Sequence, residues 1–399
     1  MELNIFFIIF ILIILSRFLS FLFKKINLPP VLGVILLGIL IANVFSNFIN
    51  KENNFEILKN FSQIGLFILI FFSGLQIDTD VIKRVGKNSI LIAIGGFILP
   101  LILGYFVIYY LTKNFNISIV SALILTATSA SISIMTLVKL GKLKTVEGQT
   151  IANAAIIDDV MGIIVLSVIS SISNLTNFTL QTLLLNFIIN ISFFTLIFFV
   201  VTFLIPLLLN RLSFLKIEII YFVGSLIFIA IFCFFGGKIN FFTITSCYFA
   251  GIFISKTEYK SSIEETLSIA QIIFVSVFFV FIGFQIQFKN IDFSIIPYIL
   301  VFTFIAFIGK VLGGGFFAKI VGFDIKRSFR IGCGMLPRGE MALIIASITY
   351  YYQKTQLITE KEYISVIFMV IVTMLINFHF LKLLFFEKKK LKSGERNVI

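Results

Sequence analysis

A chain of 399 residues that is 59% hydrophobic and 13% charged, with a mean hydropathy of +1.11, carries more apolar surface than a water-soluble protein of its size can hide. The formal net charge of +13 does not point to nucleic acid, because the basic residues are scattered through short loops and the C-terminal tail. In a membrane protein that scatter reads as topology.

A bilayer span needs roughly 20 predominantly apolar residues, and about thirteen such stretches follow one another along the chain. They are 4–23, 28–47, 56–77, 88–112, 116–139, 149–173, 179–209, 217–235, 240–255, 265–287, 294–320, 328–352 and 362–386. The first reads as a retained span, not a signal peptide: Glu2 is the only charge before it, and Lys24 and Lys25 follow in place of a small-residue cleavage site. An odd number of spans puts the termini on opposite faces. The basic tail (Lys388, Lys389, Lys390, Lys392, Arg396) is expected in the cytoplasm and the N-terminus outside. Loops then expected inside, such as Lys83/Arg84/Lys87, Lys139/Lys142/Lys144 and Lys326/Arg327/Arg330, are each more basic than the outside loops beside them.

The third and tenth spans end alike, in FFSGLQID (Phe71 to Asp78) and FVFIGFQIQF (Phe279 to Phe288). A shift of seven spans reverses orientation, so repeat one (28–173) and repeat two (240–386) are expected to be inverted copies. They are joined by a linker helix at 179–209 and followed by the tail 387–399, all within one transmembrane domain. Inverted repeats are a common plan of secondary transporters, with the site near the midplane. In the same register, spans five and twelve carry weak-helix stretches: TATSASIS (Thr126 to Ser133) and GCGMLPRGEMAL (Gly332 to Leu343), the latter with Pro337 and three glycines. The expected fold is all-α and polytopic, with two interrupted helices crossing near mid-membrane. Their broken ends would offer free carbonyls and half-helix dipoles that need compensating charges.

Charges inside spans are functional hypotheses by default. Here they are Asp158 and Asp159 in span six, Lys310 in span eleven, and Arg338 and Glu340 in the span-twelve break. Adjacent helical residues point about 100° apart, so the two aspartates cannot do the same job. One can face Lys310 while the other faces a cavity. Cys233, Cys247 and Cys333 lack metal-ligand spacing, and the single His379 reads as a packing or interfacial residue. Gly313-Gly314-Gly315 lies inside a span without a GxxxxGK[ST] pattern and reads as a close-packing stretch. No nucleophile–base set or cofactor fingerprint points to an enzyme, and no cofactor is expected.

Taken together, Leu28-Pro29-Pro30 with Gly33, Phe72-Ser73-Gly74-Leu75, Thr126-Ala127-Thr128-Ser129, Asp158-Asp159, Lys310 and Pro337-Arg338-Gly339-Glu340 resemble the monovalent cation:proton antiporters. The closer likeness is to the bacterial sodium/proton exchanger branch with an Asp-Asp pair, over nearly the whole chain. The resemblance implies that Asp159 alternately binds Na⁺ (or Li⁺) and a proton, and that Asp158 pairs with Lys310 and releases it when the cation binds. Thr126, Thr128 and Ser129 would sit beside the ion, with Arg338 and Glu340 as supporting charges at the crossover. It further implies a core domain moving elevator-fashion past a dimer domain, a homodimer, electrogenic exchange and a place in the prokaryotic inner membrane. A K⁺/H⁺ antiporter of the same superfamily is the main alternative; a cation channel or sensor is a more distant one.

Overall fold

The computed structural model describes residues 5–44, 52–76, 86–172, 260–290, 292–352 and 357–385, with isolated positions between 181 and 192 and between 247 and 255. Nearly all of the expected spans 179–209 and 217–235, and the tail 387–399, lie outside the described residues. Regular structure among the described residues is helical. Seven segments there are long and apolar enough to cross a membrane, with two shorter apolar helices, Pro30–Val44 and Glu340–Tyr350. They leave the expectation of thirteen spans and of a separate dimer domain open.

The first half of the chain forms α1 (Ile5–Lys25), α2 (Pro30–Val44), α3 (Glu52–Leu75), α4 (Lys87–Thr112), α5 (Phe115–Thr126), α6 (Ala130–Lys139) and α7 (Val146–Ile172). The second half forms α8 (Lys260–Ala270), which runs through a π-helical turn into α9 (Ser276–Phe284). It continues with α10 (Ile296–Ile320), α11 (Ile325–Gly334), α12 (Glu340–Ser347) and α13 (Glu360–Phe385). At 1.5 Å per residue, α7 is about 40 Å long, enough to cross a bilayer. By the same measure α5 and α11 reach only about half-way.

The two breaks sit inside the stretches read as weak helix, but more tightly bounded. α5 stops at Thr126 because Ala127 and Ser129 adopt extended backbone, and the Ser129 side chain then caps α6 by accepting from Ile132 N–H. α11 stops at Gly334, and α12 begins at Glu340, just past Pro337 and a non-helical Gly339. Proline cannot donate to the preceding turn, which favours the interruption there.

Glycine decides where helices touch backbone to backbone. A Cβ on Gly38 of α2 would strike the Val280 carbonyl of α9, and one on Gly283 of α9 would strike the Ile35 carbonyl of α2. A second crossing has the same form: a Cβ on Gly74 of α3 would meet the Tyr248 carbonyl, and one on Gly251 would meet the Phe71 carbonyl. A carbonyl cannot swing aside as a side chain can. Gly74→Ala is therefore expected to cost about 1–3 kcal/mol by overpacking. Gly86→Ala, where nothing lies within 4 Å, should leave the thermal midpoint unchanged. Thermal unfolding of the two variants in detergent checks this.

α4 lies along α10 with Gly95 against Gly313 and Pro100 against Gly309. At one end of this bundle, Glu147 of α7 meets Arg327 at 3.5 Å and Arg330 at 3.7 Å. Arg330 also donates to the Leu384 carbonyl of α13 at 3.0 Å. The loop before α7, the α10–α11 corner and the end of α13 thus share one face of the molecule.

Candidate functional site

Asp158 and Asp159 leave α7 in different directions and meet different surroundings. Asp158 is 2% exposed, and its Oδ2 accepts from Lys310 Nζ at 2.5 Å and from Thr128 Oγ1 at 2.9 Å. Lys310 is fully buried, reaching from α10 past Gly96 of α4, where a Cβ would lie 3.4 Å from its ammonium. The other Asp158 oxygen, Oδ1, has no hydrogen-bond partner among the described residues. A buried ion pair of this kind rarely adds stability over an apolar contact, so its presence at mid-span calls for a use.

Asp159 lines a cavity of about 130 Å³ together with Ser73 of α3, Gln76 just past its end, Ser131 of α6, Tyr248 and Glu340. That is room for a few waters or a small partly hydrated cation. Carboxylate, hydroxyl and amide oxygens are hard donors, suited to an alkali cation and unsuited to soft metals. Among the described residues no group of three or more His, Cys, Asp or Glu is placed to hold a metal ion.

The broken helices supply the frame. Ser129 N–H donates to the Pro337 carbonyl at 2.9 Å and Ser133 Oγ to the Gly334 carbonyl at 2.8 Å, so the two interruptions are stitched directly together. Arg338 is fully buried. One arm of its guanidinium donates to the Ala127 carbonyl at the end of α5, the other to the Ala306 carbonyl of α10 at 3.2 Å. Its own N–H donates to Thr373 Oγ1 of α13 at 3.2 Å. Glu340, in the first turn of α12, accepts from Ser129 Oγ at 3.0 Å and from Ser131 Oγ at 2.7 Å at the start of α6. A cation thus sits at a helix C-terminus and an anion at two helix N-termini, the arrangement that half-helix dipoles favour.

Of the residues named from the sequence, Asp158, Lys310 and Thr128 form one cluster, and Asp159, Glu340 and Ser129 lie at an adjoining one. Thr126 is buried nearby, but its hydroxyl donates back to the Leu123 carbonyl at 2.7 Å and so completes the last turn of α5. Sequence reasoning missed Ser131 and Gln76 as individuals, although both lie in stretches it had singled out. It also missed Thr373 and Asn377 of α13. Asn377 donates to Thr136 Oγ1 at 3.2 Å. Two polar residues four apart in an otherwise apolar span put them on one helix face, and that was the available signal.

The model of the transmembrane sodium/hydrogen exchangers matches residues 7–387. The chain belongs to the sodium/hydrogen exchanger family. It is 34% identical over 391 residues to the Na⁺/H⁺-K⁺ antiporter GerN of Bacillus cereus, covering 98% of each chain. It is 29% identical to a Na⁺/H⁺ antiporter of Enterococcus hirae, covering 92% of this exchanger and 94% of that one. The sodium proton antiporter MjNhaP1 of Methanocaldococcus jannaschii has a similar fold, with a TM-score of 0.67 at 16% identity over 94% of this chain and 98% of that one.

Proposed function

We propose that this exchanger is a secondary antiporter that moves Na⁺ or Li⁺ against H⁺, with both ions competing for Asp159. The observation that carries the reading is the division of labour between neighbours. Asp158 is held by Lys310 and Thr128, while Asp159 opens on the polar cavity. A carboxylate that holds either a proton or a cation couples the two fluxes with no covalent step. Asp158 would serve as the sensor: a cation arriving beside it competes with Lys310 for its charge and loosens the pair. If Lys310 sheds a proton on loading and regains one on unloading, each cycle moves more protons than cations. A charge imbalance of one is worth about 2.3 kcal/mol per 100 mV, so the membrane potential would drive net exchange.

Alternating access in this reading is elevator-like. The hydrogen bonds that Arg338 donates to α5, α10 and α13, and the one that Glu340 accepts from α6, join the ion-binding helices into one body able to travel as a unit. The two glycine crossings pair span two with ten and span three with nine, as an inverted relation between the repeats requires, and this supports that architecture. The basic loops gathered on one face favour a cytoplasmic C-terminus in the prokaryotic inner membrane, with the N-terminus outside. A homodimer is part of the same proposal.

The name of GerN includes K⁺, which keeps K⁺/H⁺ exchange as a second reading. Proton movement in proteoliposomes with a preset pH gradient separates the two. Collapse of the gradient on adding Na⁺ or Li⁺ supports the proposal. Collapse with K⁺ alone moves the assignment to the second reading, and silence with every cation overturns exchange. In the same assay Glu340→Gln is expected to raise the half-saturating Na⁺ concentration by about tenfold, the equivalent of about 1.4 kcal/mol, by removing one negative charge from the cavity wall. An unchanged value would confine Glu340 to capping its helices.

A further inference from the structure

A second cavity lies on the far side of α10 from the ion site, and the transport cycle proposed above makes no use of it. It is a groove of about 570 Å³ between α4, α10 and α11. That volume is within the ~300–1,000 Å³ of pockets that bury a small ligand. Its floor is lined in part by Gly95, Gly313 and Gly315, whose backbones pack closely against neighbouring helices. Its walls, among them Leu312, Phe316 and Phe329, are apolar and partly exposed. Of the polar lining groups, Ser328 donates its hydroxyl to the Phe323 carbonyl at 3.3 Å. The other is Lys319, at the groove's end in the last turn of α10.

An apolar groove with one charged end suits an amphiphile, not water or a polar solute. The charge at that end selects its sign. Lys319, Lys326, Arg327 and Arg330 cluster at the α10–α11 corner against Asp324 and Glu147, leaving the corner basic. We propose that this groove binds an anionic phospholipid, with an acyl chain along the glycine floor and the headgroup at Lys319. The proposal rests on the chain spanning a membrane and not on which ions it exchanges. Gly313 and Gly309 are the α10 contacts on α4 on either side of Lys310, so a bound chain would brace the helix that carries the buried lysine.

The test is thermal unfolding of the full-length protein in detergent with phosphatidylglycerol or phosphatidylcholine of identical acyl chains. Lys319→Ala removes the headgroup partner. Leu312→Trp fills the groove from a side chain already 54% exposed. The expected result is that phosphatidylglycerol raises the midpoint of the wild type by several degrees more than phosphatidylcholine does. Lys319→Ala should abolish that difference, and Leu312→Trp should abolish the response to both lipids. Equal stabilisation by the two lipids in the wild type would overturn the proposal, as would a phosphatidylglycerol effect undiminished in both variants. A change in oligomeric mass in Leu312→Trp, without any lipid effect in the wild type, would overturn it too and assign the face to a second copy of the chain.

Discussion

Asp159→Asn is expected to bring cation-dependent proton movement down to the level of empty vesicles, for Na⁺, Li⁺ and K⁺ alike. Asparagine has nearly the same shape and keeps an oxygen facing the cavity, but it cannot take up or release a proton at any working pH. It also lacks the negative charge that holds the cation, so neither the proton of residue 159 nor that of Lys310 has an ion to exchange against. The stability of the variant is what distinguishes this outcome from misfolding. Asp159 shares its cavity with the Glu340 carboxylate and is the immediate neighbour of Asp158 on α7, so neutralising it relieves like-charge repulsion at a poorly solvated site. The thermal midpoint should therefore hold or rise while transport disappears. Transport that survives the substitution would remove Asp159 from the coupling role.

Lys310→Gln is expected to act in the opposite way on stability. Its ammonium contacts Asp158 Oδ2 at 2.5 Å, and the two side chains are 0% and 1% exposed. Removing one partner of such a pair leaves a buried charge with only the Thr128 hydroxyl to hold it, a loss of about 3–5 kcal/mol. Replacing both partners, in Asp158→Asn with Lys310→Gln, removes the unpaired charge and should recover most of that loss. Thermal unfolding of the two single variants and the double variant forms the cycle. A double variant as unstable as Lys310→Gln alone would show that the pair is not what the lysine stabilises. In proteoliposomes, any exchange the variant retains should no longer respond to an imposed membrane potential, because Lys310 is the group proposed to move the extra charge.

Much of this protein was legible from the order of its residues. Span positions followed from hydropathy because a bilayer leaves a backbone few alternatives to a helix about 20 residues long. Expected spans such as 88–112 and 294–320 lie within a residue or so of the helices Lys87–Thr112 and the candidate span Phe293–Ile320. The charges were conspicuous for the same reason: five ionisable side chains inside apolar stretches need partners, and they were few enough to match by sign. Family membership was readable at this level too, since its motifs are local.

What only the tertiary structure decided is which of those groups touch. Thr128 and Ser129 are neighbours in one break, yet one serves Asp158 and the other Glu340, and Thr126 turns back onto its own helix. Arg338 and Glu340 are two residues apart, but the first closes the end of α5 and the second the start of α6. The partners of Lys310 and Glu340 lie 152 and 211 positions away along the chain. Hydropathy sets the depth of each residue in the membrane. Which face of a helix meets which neighbour depends on crossing points set by glycines such as Gly38, Gly74 and Gly283, where a single methyl group would push two backbones apart. That is a property of pairs of helices, and no single stretch of sequence carries it.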